Sequence, residues 1–256
     1  MCIILLAHQA HPDYPLILAA NRDEFYERPT AQAHFWEEGG VLAGRDLERG
    51  GTWLGVTQEG RIAAITNYRE PSSRIDGAPS RGLLVSEFLL GDETPHEYLS
   101  KLSSTASRYN GFNLIVGTGD GLRYFSNRGS EPEEIGSGVH GLSNHLLNTP
   151  WPKVEQGRKA LMRLISRSNL DVEEVFKVLA DDARASDEAL PETGVGVELE
   201  RMLSPLFIKS QSYGTRSSTV VLFNRHQEVT FIERTFTPAT GGYEDARFEF
   251  KIRSDG

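Results

Sequence analysis

Cys2 is the residue whose position offers the most chemistry. A small second residue usually permits removal of the initiator methionine. Cys2 would then carry both a thiol and a free α-amine. The amine titrates near ~8 and the thiol near ~8.5. One residue would hold a nucleophile and a base within reach of each other. On position alone, the plainer reading is a small apolar residue that starts a strand.

Asn21-Arg22-Asp23-Glu24 follows directly on an apolar run. Four polar residues at the end of a strand can project into a cleft. Arg22 could hold a thiolate or a carboxylate, and Asp23 could accept a hydrogen bond from an α-amine. The plainer reading is a solvated turn with a local Arg–Asp pair. His8 and His11 sit three apart, and His140 and His145 flank Ser143-Asn144. Each reads as a surface or hydrogen-bonding histidine, so no metal site is expected. Gly117-Thr118-Gly119-Asp120-Gly121 lacks the spacing of a phosphate loop and opens no helix, so it reads as a hairpin turn.

The elements that must position these residues are legible from pattern. Residues 2–7 and 15–20 are short apolar runs, read as buried strands. The stretch from Gly50 to Tyr68 reads as a hairpin around Gln58-Glu59-Gly60. Residues 80–90 read as a helix with Ser80 as N-cap and Gly91 as the stop. Thr94-Pro95-His96-Glu97 has the form of a capping box opening a second helix. Strands follow at 112–117, 121–126 and near 139–143. A helix from Pro152 to about Ser166 places Val154, Leu161, Leu164 and Ile165 on one face. Residues 171–180 continue as helix, with Asp171 as cap and Glu174 as its box partner. The acidic stretch 181–200 reads as a mobile surface loop. Residues 215–223 and 228–236 read as the final strands, with a polar tail after Arg247. Strands and helices are segregated, which argues α+β layers rather than a parallel βαβ sheet.

Composition bounds the rest. The 256 residues form one domain in this reading, 1–256. At this length folding buries roughly 70–75% of the chain's surface without staples. The net charge of −9 gives no electrostatic footprint for nucleic acid or an anionic membrane surface. A single cysteine allows no intramolecular disulfide and suits a reducing compartment. The N-terminus has no basic leader, and no stretch approaches the ~20 apolar residues of a membrane span. A cytoplasmic location is expected.

Met-Cys at the start, Ala-Ala-Asn-Arg-Asp-Glu-Phe-Tyr at 19–26, Gly-Gly-Thr-Trp-Leu-Gly at 50–55 and Thr-Asn-Tyr at 66–68 resemble the NRDE family. That family is also called transport-and-Golgi-organization. Gly141-Leu142-Ser143-Asn144 and Gly214-Thr215-Arg216-Ser217-Ser218 match its pattern too. The family in turn resembles the cysteine branch of the N-terminal-nucleophile hydrolases, which includes penicillin V acylases and bile salt hydrolases. The implied fold is a four-layer αββα sandwich. The implied catalytic residues are Cys2, Arg22, Asp23, Asn67, Asn144 and Arg216. Arg22 and Asp23 are adjacent here, whereas residues intervene between them in those enzymes. The implied chemistry is attack of the Cys2 thiolate on an amide or other acyl carbon. The Cys2 amine relays the proton with help from Asp23, and Asn67 or Asn144 holds the oxyanion. Donors of this kind are typically worth ~3–4 kcal/mol each.

No cofactor is required in that reading, and the partner is a small-molecule substrate. Two other classes compete with it. NRDE proteins are linked to intracellular haem mobilisation and lipid-related processes, and haem can be held by one axial His or Cys. Cys2 could be that ligand in a non-catalytic trafficking protein. An adaptor could act through Trp36, Trp53 and Trp151, although core or pocket lining is the commoner fate of tryptophan. Substrate and oligomeric state are not readable from the chain.

Overall fold

The computed structural model describes residues 2–167, 169–237 and 240–253, and of Cys2 the backbone. The chain opens with an antiparallel pair, β1 (Cys2–His8) and β2 (Leu16–Phe25). Next come β3 (Thr30–Phe35), β4 (Val41–Asp46), β5 (Leu54–Thr57) and β6 (Arg61–Asn67). Two helices follow, α1 (Gly82–Leu90) and α2 (Pro95–Ser103). Then come β7 (Phe112–Thr118), β8 (Leu122–Ser126), β9 (Glu133–Glu134) and β10 (Gly138–Leu142). The second helical group is α3 (Pro152–Ile165), α4 (Val172–Leu179) and α5 (Val197–Met202). The last strands are β11 (Tyr213–Phe223), β12 (Glu228–Thr237) and β13 (Gly242–Lys251).

Two antiparallel sheets result. One has the order β10-β1-β2-β11-β12-β13 and the other β3-β4-β5-β6-β7-β8-β9. The apolar runs in β1 and β2 are continuous rather than alternating because both their faces are buried. Ile4, Leu6, Leu18, Val221 and Phe231 face Leu42, Val56, Ala64 and Ile115 across the gap between the sheets. Ile3, Leu5, Ile17 and Val220 turn the other way and pack under α3 and α4, against Val154, Leu161, Val175 and Phe176. On the far side, α1 sets Leu84, Val85, Phe88 and Leu89 on Ala63, Ile65, Leu114 and Val116. The layers are therefore helix, sheet, sheet, helix. Each large side chain buried this way contributes about 1.5–3 kcal/mol.

Local chemistry explains most element ends. Thr94 accepts from the Glu97 amide while the Glu97 carboxylate accepts from the Thr94 amide, completing the capping box. Gly91 stops α1, but Arg81 rather than Ser80 precedes it, and no side chain caps that end. Asp171 caps α4 through the Glu173 amide, and Glu174 pairs with Lys177 instead of closing a box.

Three stretches depart from expectation. Residues 24–50, to which the pattern assigns no element, contain β3 and β4: β3 carries little apolar sequence, and the apolar run of β4 is only Val41-Leu42-Ala43. The tail beyond Arg247 belongs to β13, paired along its length with β12. The acidic stretch 181–200 is not simply a surface loop, since it ends in α5 with Glu200 only 3% exposed.

Candidate active site

The Asn-Arg-Asp-Glu sequence lies within β2 and is not a solvated turn after it. Alternation along the strand sends its residues to different layers. Asn21 donates to the carbonyls of Leu179 and Leu206 on the helical side (2.8 and 2.9 Å) and accepts from the Ser218 hydroxyl (2.6 Å). Arg22 points toward the second sheet. Its guanidinium lies 4.1 Å from the centre of the Trp53 ring and donates to the Thr30 hydroxyl (3.2 Å). Asp23 turns back toward the helical layer, 2% exposed, and accepts from the Thr215 hydroxyl at 2.7 Å. That hydroxyl itself accepts from the Ile208 amide (2.9 Å), so the donor to Asp23 is held in place from behind. Burial pushes the Asp23 carboxyl above its ordinary range. The Lys153 ammonium, the Thr215 bond and Arg22 pull against that shift.

Cys2 pairs with Arg22 in the β1–β2 register. Its thiol, like Met1 and the α-amine, lies outside the described residues. Across the sheet, β11 carries a bulge between Thr215 and Ser217, where the register steps from Asp23 to Arg22. Arg216 is the extra residue. It donates to the carbonyls of Phe25 and Arg28 (2.9 and 3.1 Å) and so fixes the turn after β2. A bulge commonly re-aims a side chain in this way.

A cleft of about 630 Å³ opens here. Of the sequence-predicted residues, Arg22, Asp23 and Asn67 line it, joined by Trp53, Tyr68 and Arg69. Asn144 is not in the lining. It is fully buried behind Asn67, donating to the Asn67 carbonyl (2.8 Å) and accepting from Arg69 (3.5 Å) and the Ser143 hydroxyl (3.3 Å). The Arg69 amide donates to the Asn144 carbonyl (2.8 Å). Thr66 donates to the Ser143 carbonyl (2.6 Å). The end of β6 and the loop after β10 are thus stitched together.

Several buried charges surround these residues and carried no assignment in the sequence. Lys153, 3% exposed, donates to the Leu203 carbonyl (3.0 Å) at the start of α3. Arg69 pairs with Glu200 and stacks 4.9 Å from the Trp151 ring centre. Glu233, inside β12, accepts from the Ala33 amide (2.7 Å) and bridges the two sheets. Its carboxyl is raised by burial, with that hydrogen bond and Arg22 opposing the rise. Two of these positions left a trace in the pattern. Lys153 stands on the stripe of Gly157, Leu161 and Leu164, and Glu233 continues the inward series Val229, Phe231. Glu200 and Arg69 left none.

No histidine is among the described residues that line the cleft. His8 bonds the Ile135 carbonyl (2.9 Å), His11 accepts from the Asp13 amide (3.1 Å), and His140 meets the Gly136 carbonyl (3.0 Å). His145 bonds the Thr149 hydroxyl (2.9 Å) and tilts against Tyr68. Among the described residues no group of three or more His, Cys, Asp or Glu is placed to hold a metal ion. No helix among them is long and apolar enough to cross a membrane.

The family model described as Transport and Golgi organisation 2 matches residues 1–238. The chain belongs to that family. The Transport and Golgi organization 2 homolog of Mus musculus is 37% identical over 277 residues, covering 99% of this chain and 100% of the mouse protein. The Homo sapiens homolog is 38% identical over 278 residues, with the same coverage of each chain. The Transport and Golgi organisation 2 fold has its solved likenesses among N-terminal-nucleophile hydrolases. A Caenorhabditis elegans N-acylethanolamine-hydrolyzing acid amidase ortholog superposes with a TM-score of 0.50 at 14% identity, covering 87% of this chain and 92% of that one. A variant of conjugated bile acid hydrolase from Clostridium perfringens gives 0.50 at 9% identity, covering 98% of each. At these identities the likeness concerns fold. The expected αββα architecture and the family resemblance both stand.

Proposed function

We propose that this Transport and Golgi organisation 2 protein is a cysteine hydrolase of an amide (C–N) or other acyl bond in a small molecule. Cys2 serves as nucleophile once Met1 is removed. The observation that carries this reading is the meeting of three strand ends. Cys2 is in register with Arg22, and Arg22, Asp23 and Asn67 line one cleft. The Cys2 thiol gives its proton to the Cys2 amine, and the thiolate attacks the acyl carbon. The amine passes that proton to the leaving group as the C–N or C–O bond breaks, leaving a thioester. Water then releases the acid and regenerates the thiol.

Asn67 takes the oxyanion in this scheme, because it lines the cleft. Asn144 holds Asn67 from behind. Asp23 orients the amine. Its own orientation comes from Thr215, and its ionisation is favoured by Lys153 and Arg22 against the pull of burial. Arg216 shapes the wall by fixing the turn after β2.

The haem-handling alternative has less support. Histidine and methionine are absent from the described lining of the cleft, so an axial ligand there would rest on Cys2 or on the Tyr68 phenolate.

The test uses the untagged protein and p-nitrophenyl acetate. Intact mass should show loss of Met1. A burst of p-nitrophenolate should accompany acetylation of the N-terminal peptide, and Cys2→Ala should abolish both. A retained Met1, or a burst surviving in Cys2→Ala, would sink the hydrolase reading. A panel of N-acyl amides, read by release of free amine, would then find the substrate class.

A further inference from the structure

Arg69 and Glu200 form the most deeply buried ion pair beside the cleft, and the scheme above gives them no task. Their side chains are 5% and 4% exposed. A buried pair of this kind gives little net stability, because desolvation consumes much of the attraction. Its partners suggest a different use.

Glu200 holds its own segment. One oxygen accepts from the Thr193 amide (3.1 Å) and from the Thr193 hydroxyl, while the other meets Arg69. Two residues beyond Thr193, Val195 lines the cleft between Gly194 and Gly196, whose φ values are +85° and +86°. Both glycines use the left-handed region, which lets the chain turn sharply on either side of Val195. On the other side of the pair, Arg69 reaches the Asn144 side chain while its amide bonds the Asn144 carbonyl. Asn144 in turn holds the Asn67 carbonyl. A continuous chain of contacts therefore runs from the segment that borders the cleft to the residue that lines it.

We propose that Arg69 and Glu200 are positioning residues. Their pair latches the segment 191–203 against the cleft and, through Asn144, fixes where Asn67 presents its side chain. The kinetic part of this inference rests on the hydrolase reading, and the structural part does not. Arginine is suited to the task because its planar fork reaches Glu200 and Asn144 at once. Lysine keeps the charge but not the fork.

The experiment compares wild type, Arg69→Lys and Glu200→Gln as full chains. Hydrogen exchange is followed over residues 66–69, 141–147 and 191–203, and turnover is measured with p-nitrophenyl acetate. Both variants keep most of the buried volume, and Glu200→Gln retains an acceptor for Thr193. We expect faster exchange in all three segments and a kcat lower by about 10- to 100-fold, the scale of a misplaced reacting group. KM is fitted beside kcat, because Arg69 and Val195 also line the cleft, and a loss confined to KM would mark lost substrate contacts and overturn the positioning role. If wild type shows no Cys2-dependent release, the hydrolase reading fails and exchange alone decides. Coupled acceleration of 66–69 and 191–203 then upholds the latch. Exchange that changes in one segment without the other overturns it, as does a kcat loss that merely tracks melting temperature. Should Arg69→Lys not fold, Glu200→Gln carries the test.

Discussion

At the residue scale, the site separates groups that face the cleft from groups that hold them. Asn67 and Asn144 show the difference, since the sequence offers them as equals. Asn144 is fully buried, with its amide donating to the Asn67 carbonyl and its oxygen accepting from Arg69 and Ser143. Asn144→Ala leaves those groups short of partners in a dry setting. A stability loss of about 1–3 kcal/mol is expected, readable by urea denaturation. Asn67→Ala should cost little stability but about 10²–10³ in kcat if it holds the oxyanion. The pair of variants, measured for both properties, tells donor from support. Asp23 belongs to the same scale. The sequence shows an acid beside an arginine, but only the structure sends the two side chains to different layers.

At the element scale, two close approaches decide whether the strands can carry the site. Gly51, in the Gly-Gly-Thr-Trp-Leu-Gly motif, lies against the start of α1. A Cβ there would come within 2.3 Å of the Gly82 carbonyl carbon and 2.5 Å of its oxygen. Those are backbone atoms, so the clash cannot be relieved by a side-chain rotation. Gly51→Ala should therefore destabilise by about 1–3 kcal/mol or more through a forced backbone shift, seen as a lower melting temperature.

The second approach is the bridge from Glu233 on β12 to the Ala33 amide on β3. Burial raises the Glu233 carboxyl, so the folded state holds its proton more tightly than the unfolded chain does. Its favourable contribution is full below the unfolded value of about 4.3 and is lost as pH rises toward the raised folded value. Glu233→Gln keeps the acceptor and removes the titration. Stability measured upward from pH 4 should fall less steeply in the variant than in the wild type. Equal slopes in the two proteins would contradict the assignment.

At the scale of the whole molecule, the inter-sheet core is what brings distant segments together. Cys2, Arg22, Asn67 and Arg216 come from four strands in two sheets, and their relative placement depends on that packing. Phe231 is fully buried within it. Phe231→Ala should cost about 3–5 kcal/mol. The measurement is a guanidinium transition, whose midpoint should drop with little change in slope. The same core explains which strands were readable. Strands buried on both faces, such as β1, β2 and β11, announce themselves as apolar runs. β3 and β13 lie at sheet edges, bury almost none of their residues fully and carry largely polar sequence, so periodicity could not mark them.

By itself the sequence determined the layered α+β class, most of the helices and central strands, and the family through its motifs. It also picked out Arg22, Asp23 and Asn67, which the cleft gathers. These features are written locally, in apolar runs, capping residues and short motifs that need no distant partner to be recognised. Tertiary structure decided the rest. It set Arg22 on Trp53 and Asp23 on Thr215, moved Asn144 behind the site, turned Arg216 outward on a bulge, and carried Glu200 from an acidic stretch into contact with Arg69. Each of those outcomes depends on residues distant in the chain or on strand register. A charge buried against a distant opposite charge leaves no mark in its own neighbourhood of the chain, because its cost is offset only once the fold closes around both.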